Sequence, residues 1–353
     1  MFVGFVDLAQ GRYHSMVLQQ DGSVWSAGHN RYGQLGDGSK ISRLGFVHMV
    51  SVGVKAVAAG MYHSLVMKQD GSVWSTGWNK YGQLGDGSLN DKSNFVQVFS
   101  SDAKAVVAGG YHSMVLKQGG SVWATGSNQN GQLGDGTGTD SSSFVLVIAR
   151  GAKALAAGRS HSMMLMQDGS VWACGLNSYG QLGDRSNTDK DIFVQVIDGG
   201  AKAVVAGGIQ GHTLVLKHDG SVWATGSNTL GQLGDGSHIS KNNFVQVVSS
   251  GAKAVAAGGG HSLMLKQDGS VWATGDNAKG QIGDGASADD RQMFVQLVSS
   301  GVKSVAAGAS GSMIIKQDGS VWTTGGNYYG QLGDGSTTPK SSFVRVVQVV
   351  VGE

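Results

Sequence analysis

Residues 70–86 read Asp70-Gly71-Ser72-Val73-Trp74-Ser75-Thr76-Gly77-Trp78-Asn79-Lys80-Tyr81-Gly82-Gln83-Leu84-Gly85-Asp86. The Gly-Ser-Val-Trp string returns with its tryptophan at Trp25, Trp74, Trp123, Trp172, Trp223, Trp272 and Trp322, at steps of 49, 49, 49, 51, 49 and 50 residues. A Gly-Gln-Leu-Gly-Asp string, with isoleucine in the sixth copy, follows each tryptophan, and each copy closes on Phe-Val, from Phe46-Val47 to Phe343-Val344. A fixed period of this length is one structural unit used seven times. Recurring residues are then scaffold, and function is expected where the copies differ.

Outward from that stretch, the second copy holds four apolar runs of strand length: Lys55–Gly60, His63–Lys68, Ser72–Gly77 and Phe95–Phe99. Turn residues separate them, and none reaches helical length before a glycine intervenes. Asp-Gly joins the second and third runs at Asp21-Gly22, Asp70-Gly71, Asp168-Gly169, Asp219-Gly220, Asp268-Gly269 and Asp318-Gly319, with Gly119-Gly120 in the third copy. This pair is the strongest short hairpin signal, because both residues tolerate positive φ. Four antiparallel strands repeated seven times predict an all-β protein: a single seven-bladed β-propeller, four antiparallel strands per blade, over residues 1–353. An open solenoid needs atypical caps, which neither end shows. Ala-Ala-Gly in the first run suits strands crowded around an axis. Strand-like sequence at both ends, Phe2–Val6 and Val344–Val351, predicts that the termini meet in the ring.

Composition narrows the function classes. Charged residues are 14%, against roughly 25% in ordinary soluble domains. Glycine, 59 of 353 residues, is periodic and interleaved with apolar side chains, which argues against disorder. A net charge of +2 with no basic run disfavours nucleic acid as a partner. The one cysteine, Cys174, rules out an internal disulfide framework and is expected to be a small buried side chain. No apolar run approaches the roughly 18 residues of a membrane span, and Met1-Phe2-Val3-Gly4 lacks a charged region and a cleavage site. The expectation is a protein of cytoplasm or nucleus, either whole or a domain or subunit of a larger assembly.

Gly-x-Val-aromatic, then Gly-x-Asn-x-x-Gly-Gln-Leu-Gly, then Ala-x-Gly-x-x-His-Ser resembles the repeats of the regulator of chromosome condensation, over residues from about 5 to 348. The resemblance implies a seven-bladed propeller, in agreement with the count above. The family's functions are diverse: nucleotide exchange on the Ran GTPase with chromatin binding, repeats inside ubiquitin ligases and kinases, a plant ultraviolet receptor, a secreted inhibitor of β-lactamases. Fold alone does not choose among them. The chromatin-binding member has a basic tail and a protruding insertion in one blade; this chain begins almost at once in repeat pattern, and its loops after Gly-Asp-Gly are nearly constant in length. Where the ultraviolet receptor carries tryptophans, Tyr62, Tyr111 and Ser160 stand here. The strand that commonly reads Tyr-x-Trp-Gly in the family reads Trp-Ala-Thr-Gly, a packing variation.

No pattern for catalysis stands out. His14, His63, His112, His161, His212 and His261 recur once per copy, with Gly311 in the seventh, and are expected to make structural hydrogen bonds rather than converge on a metal. The aspartate of each Gly-Asp-Gly is expected to cap a turn rather than bind calcium. Glycine-rich strings such as Ala257-Gly258-Gly259-Gly260 precede no helix and form no phosphate cradle. No cofactor and no metal are expected.

If strands alternate in direction, the loops between strands one and two and between three and four open on one face, and the Asp-Gly turns on the other. The first face carries nearly all the variety: Arg12, Tyr13, Arg31 and Tyr32 in copy one; Tyr62, Trp78, Lys80 and Tyr81 in copy two; Arg159, Tyr179 and Arg185 in copy four; Tyr328 and Tyr329 in copy seven. Copies four and six add the acids Asp189, Asp191, Asp289 and Asp290. Tyr, Trp and Arg are the residue types enriched in binding hot spots. In a closed ring copies seven, one and two adjoin, so their side chains are expected to form one aromatic and basic arc. The reading is a non-catalytic interaction or scaffold propeller that takes a protein partner on this face. Guanine-nucleotide exchange on a Ran-like small GTPase and glycan or ligand binding in aromatic pockets are the alternatives.

Overall fold

The computed structural model describes residues 5–50, 52–208 and 211–346. It is a seven-bladed propeller of seven four-stranded antiparallel sheets, each ordered as its strands occur in the chain. In blade two the strands are Val54–Ala59, His63–Lys68, Val73–Gly77 and Lys92–Phe99, from the axis outward. The inner strands of all seven blades line a central channel of about 400 Å³ with small side chains. That is the physical use of Ala-Ala-Gly: larger residues would fill the axis. The middle two strands of each blade are the buried ones, as in Leu65, Val66, Met67 and Val73, all at most 2% exposed. Sheets covered on both faces need apolar runs rather than alternation.

The core lies between the blades. One cluster joins Met114, Leu116 and Val122 of blade three to Leu155, Met164 and Phe193 of blade four. Cys174, fully buried, belongs to it. The second glycine of each Gly-Gln-Leu-Gly abuts the phenylalanine of the next blade's Phe-Val. A Cβ on Gly85 would meet the Phe144 ring, and Gly85 has φ +73°. Left-handed backbone costs a non-glycine residue roughly 1–2 kcal/mol even without a clash. Gly85→Ala is therefore expected to lower stability by about 2 kcal/mol or more, read as a lower denaturant midpoint with an unchanged slope.

The ring closes with the same joint. Gly333 of blade seven abuts Phe46 of blade one, and one cluster unites Leu8, Val17 and Phe46 with Met313, Ile315 and Val321. Phe5 and Val346 both pack against that cluster, so closure comes from blade one stacked on blade seven, each blade complete in its own sequence. The end segments 1–4 and 347–353, on which part of the predicted meeting of termini falls, lie outside the described residues.

The recurring histidines are interblade staples. His14 Nε2 lies 2.7 Å from Ser64 Oγ of the next blade, and His63, His112, His161, His212 and His261 repeat the contact to Ser113, Ser162, Thr213, Ser262 and Ser312. Ser64 donates back to the Gln34 carbonyl at 2.7 Å. Its oxygen therefore accepts from the histidine, which fixes the proton on Nε2. At the closing joint Gly311 takes histidine's place and Gln10 takes that of the alanine found in other inner strands. The Gln10 side chain occupies the space, its Nε2 lying 2.6 Å from where a Gly311 Cβ would stand. Gly311→His is thus expected to destabilise the protein, and Gln10→Ala in the same chain to restore it, a coupling that a double-mutant cycle measures.

Candidate functional site

The face is built by one repeated clamp. Asn79 Oδ1 accepts from Leu84 N–H at 3.0 Å, while its Nδ2 donates to Asp86 Oδ1 (3.1 Å), to the Ser88 carbonyl (2.9 Å) and to the Asn90 carbonyl (3.2 Å). Asp86 caps Ser88 N–H at 3.0 Å and pairs with Lys92 at 3.3 Å. Burial pushes the Asp86 carboxyl up, but the Ser88 hydrogen bonds and Lys92 outweigh it and hold the group below its ordinary range. The clamp recurs around Asn30, Asn128, Asn177, Asn228, Asn277 and Asn327. It leaves three side chains per blade free to vary on the face: the one before the asparagine and the two after it.

In blades seven, one, two and three those positions, together with the residue before the recurring histidine (Tyr13, Tyr62, Tyr111), carry rings that touch. Tyr13 stacks on Tyr62 at 5.0 Å and meets Tyr329 edge-on at 5.3 Å. His29 lies 4.9 Å from Tyr329, and Tyr32 lies 5.2 Å from Tyr62. Tyr62 meets Trp78 at 5.8 Å; Trp78 meets Tyr81 at 5.5 Å and Tyr111 at 5.4 Å; Tyr81 and Tyr111 are 5.5 Å apart. Such pairs contribute roughly 0.5–1.5 kcal/mol each beyond buried area. Eight rings therefore form one connected band. The Arg12 guanidinium sits 5.0 Å from the Tyr13 ring centre and donates to Met61 Sδ, at the mouth of the channel. Burial, then the Tyr13 hydroxyl, pushes the Tyr62 phenol up, so it stays neutral. Burial, then Arg31, lowers His29.

Of the residues singled out in the sequence, Tyr13, Tyr32, Tyr62, Trp78, Tyr81 and Tyr329 join this band, and Arg12 attaches to it. Arg31 and Lys80 are exposed beside it in the chain. Tyr328 turns away: its ring lies 5.4 Å from Lys279 Nζ of blade six. Tyr179 is 44% exposed and no ring contact joins it to the band among the described residues. Arg185 is exposed and holds the left-handed φ of +67° that glycine supplies in other copies. Arg159 lines the channel mouth and a second cavity in blades two to five. Asp189 is a clamp residue, accepting from Asn177 N–H at 2.7 Å. Two members of the band were missed, His29 and Tyr111. His29 occupies the place of Trp78 between glycine and asparagine, and Tyr111 that of Tyr62, so position within the repeat was the available signal.

Regulator of chromosome condensation (RCC1) repeats match residues 5–34, 54–83, 103–132, 152–181, 252–281 and 302–331 in one form, and 21–67, 70–116, 168–216 and 219–265 in another. The chain belongs to the RCC1 repeat family. Among solved structures it is similar to human WBSCR16, with 21% identity, 92% of this chain and 93% of that one covered, and a TM-score of 0.81. It is also similar to Prp20p of Saccharomyces cerevisiae, with 21% identity, 99% and 88% covered, and a TM-score of 0.81. The Prp20p structure was described together with that protein's binding to Gsp1p and histones. The complex of Kap60 with yeast RCC1 (Prp20) matches at 19% identity, 99% and 86% covered, and a TM-score of 0.82. At these identities the likeness is one of fold. No curated protein matches the chain. No helix of the described residues is long and apolar enough to cross a membrane.

Proposed function

We propose that this RCC1-repeat chain, acting as one propeller unit, is a non-catalytic scaffold that takes a protein partner on the face carrying the aromatic band. The single observation that carries this reading is the continuity of the rings across blades seven, one, two and three. Interface cores are rich in Tyr, Trp and Arg. Rings already held against one another lose little freedom on binding, which leaves more of the contact energy as affinity. Arg12, Arg31 and Lys80 supply a cationic margin suited to a partner with acidic groups. The remaining chemistry of the repeats supports a structural role, since the six histidines are buried behind the face and engaged between blades.

The experiment is capture from source cells with the native protein and with the Arg31→Ala, Tyr32→Ala, Trp78→Ala triple variant, compared by quantitative mass spectrometry. A partner lost by a folded triple variant supports the site; undiminished capture removes it. A binding partner that is a small GTPase would bring nucleotide exchange into play, the activity that a nucleotide-release assay reads directly.

A further inference from the structure

A second site on the same face lies beyond the end of the band. A cavity of about 280 Å³ is lined by Tyr81 and Tyr111, by Gln132, Arg159, Leu176 and Gln181, and by the backbone at Gly208 and Gly211. Among the described residues no acidic side chain lines it. Among the described residues no carboxylate lies within ion-pair distance of Arg159.

The decisive group is Gln181. It is fully buried, and its Oε1 accepts from Tyr179 N–H at 2.9 Å. That bond fixes which end of the amide is nitrogen, and the Nε2 so placed has no partner. In blade one the equivalent Gln34 Nε2 bonds His29 Nδ1 at 2.7 Å, and in blade five Gln232 Nε2 bonds Ser227 Oγ at 3.2 Å. Blade four has Leu176 where those acceptors stand, so the donor is left facing the cavity. Gln83 and Gln281 also have unpaired Nε2 groups, but neither lines this cavity. Gln132 is held the same way round, its Oε1 accepting from Asn130 N–H at 3.0 Å. A buried donor without an acceptor costs roughly 1–3 kcal/mol, and such groups are rare in folded proteins. Here the cost is retained in a cavity that Arg159, Tyr81 and Tyr111 also line, side chains that all carry hydrogen-bond donors.

We infer that this cavity receives a carboxylate borne by an aspartate or glutamate side chain of the partner protein. One guanidinium matches one negative charge, and the fork of Arg159 with the two amide nitrogens supplies the donors that a carboxylate's four lone pairs accept. The tyrosine rings cover the methylene stem. The volume, below the roughly 300–1,000 Å³ of sites for drug-sized ligands, fits a side chain rather than a whole metabolite. This assignment rests on the face being the partner-binding face, and gives that partner an acidic anchor.

The test uses the full chain, ¹⁵N-labelled, and blocked glutamate (N-acetyl-glutamate N-methylamide) as the probe. The Gln181 and Gln132 side-chain amide signals, assigned through Gln181→Leu and Gln132→Leu, are expected to shift with saturating millimolar behaviour. The blocked glutamine analogue, inorganic phosphate and the Arg159→Gln variant should each bind at least tenfold more weakly. Among the described residues Arg159 donates no side-chain hydrogen bond to the fold, and an unchanged melting temperature confirms that Arg159→Gln folds. Equal affinity for glutamate and glutamine probes, tighter binding of phosphate, or binding indifferent to Arg159→Gln would each overturn the assignment. The arc is tested apart with Tyr13→Ala, Tyr32→Ala, whose rings touch Tyr62 but neither Tyr81 nor Tyr111: this protein should still show the glutamate shift. A shift that persists while partner capture is undiminished in that variant sinks the arc alone; lost capture with no glutamate shift in native protein sinks the cavity alone.

Discussion

Acidification from pH 7.5 to about pH 5 is expected to unfold the ring cooperatively, well before the carboxylates titrate. The reason lies in six histidines buried as neutral rings. Burial, then the neighbouring histidines, pushes His14, His63, His112 and His212 down to about 3, and burial holds His161 and His261 at about 4, against 6.5 for the free side chain. A group whose folded pKa is depressed binds more protons unfolded than folded between the two values. Its contribution is whole above pH 6.5 and declines as pH falls towards 3 to 4. Six such groups together cost about 8 kcal/mol for each pH unit below the unfolded value. Native proteins hold only about 5–15 kcal/mol in reserve. The lowered aspartates of the clamp, such as Asp86 and Asp334, give way only below their own ordinary value of 3.8. Circular dichroism against pH, with proton uptake by calorimetry in two buffers, checks the account. Uptake of about six protons per chain on unfolding near pH 5 is expected; a melting temperature flat from pH 7.5 to pH 5 contradicts it.

The second large effect concerns affinity. Once the partner is in hand, the Arg31→Ala, Tyr32→Ala, Trp78→Ala variant should lose at least about 100-fold in binding, since hot-spot truncations cost 2 kcal/mol or more each. Trp78 touches Tyr32, Tyr62, Tyr81 and Tyr111, so its removal also loosens the rings that remain. The variant should stay folded, because these side chains stand on clamped loops outside the interblade core, and should melt below the native protein by the ring contacts it loses. A matched triple on the opposite face, Gln69→Ala, Gln118→Ala, Gln167→Ala, changes exposed turn residues and should leave binding within twofold of the native value. Titration calorimetry with the three proteins reads both outcomes.

The architecture was legible because each device is written six or seven times. Asp-Gly announced the hairpin and the histidine a structural bond, whereas the contact of each Phe-Val phenylalanine with the preceding blade's glycine was not readable. The bond's acceptor, a serine one blade away, was not visible, because no local pattern links His14 to Ser64. The continuity of blades seven, one and two was readable from ring closure and side-chain type. Which individual residues enter the band was not. Tyr328 and Tyr329 are adjacent in the chain yet diverge, one towards Lys279 and one towards Tyr13, since consecutive loop residues point in different directions. Tyr179 stays apart because Leu176 of its own blade and Gly211 of the next stand where the equivalent Tyr81 meets Trp78 and Tyr111. The cavity beside Arg159 was beyond the sequence altogether, as it depends on which way the Gln181 amide is turned.

The central claim is that the partner lies on the aromatic face, and site-specific photo-cross-linking tests it most directly. A benzophenone amino acid in place of Tyr32 or of Gln118 puts the same reactive group on opposite faces of one folded protein. The account predicts a partner adduct from position 32 and none from position 118. An adduct from position 118 with none from position 32 would contradict it.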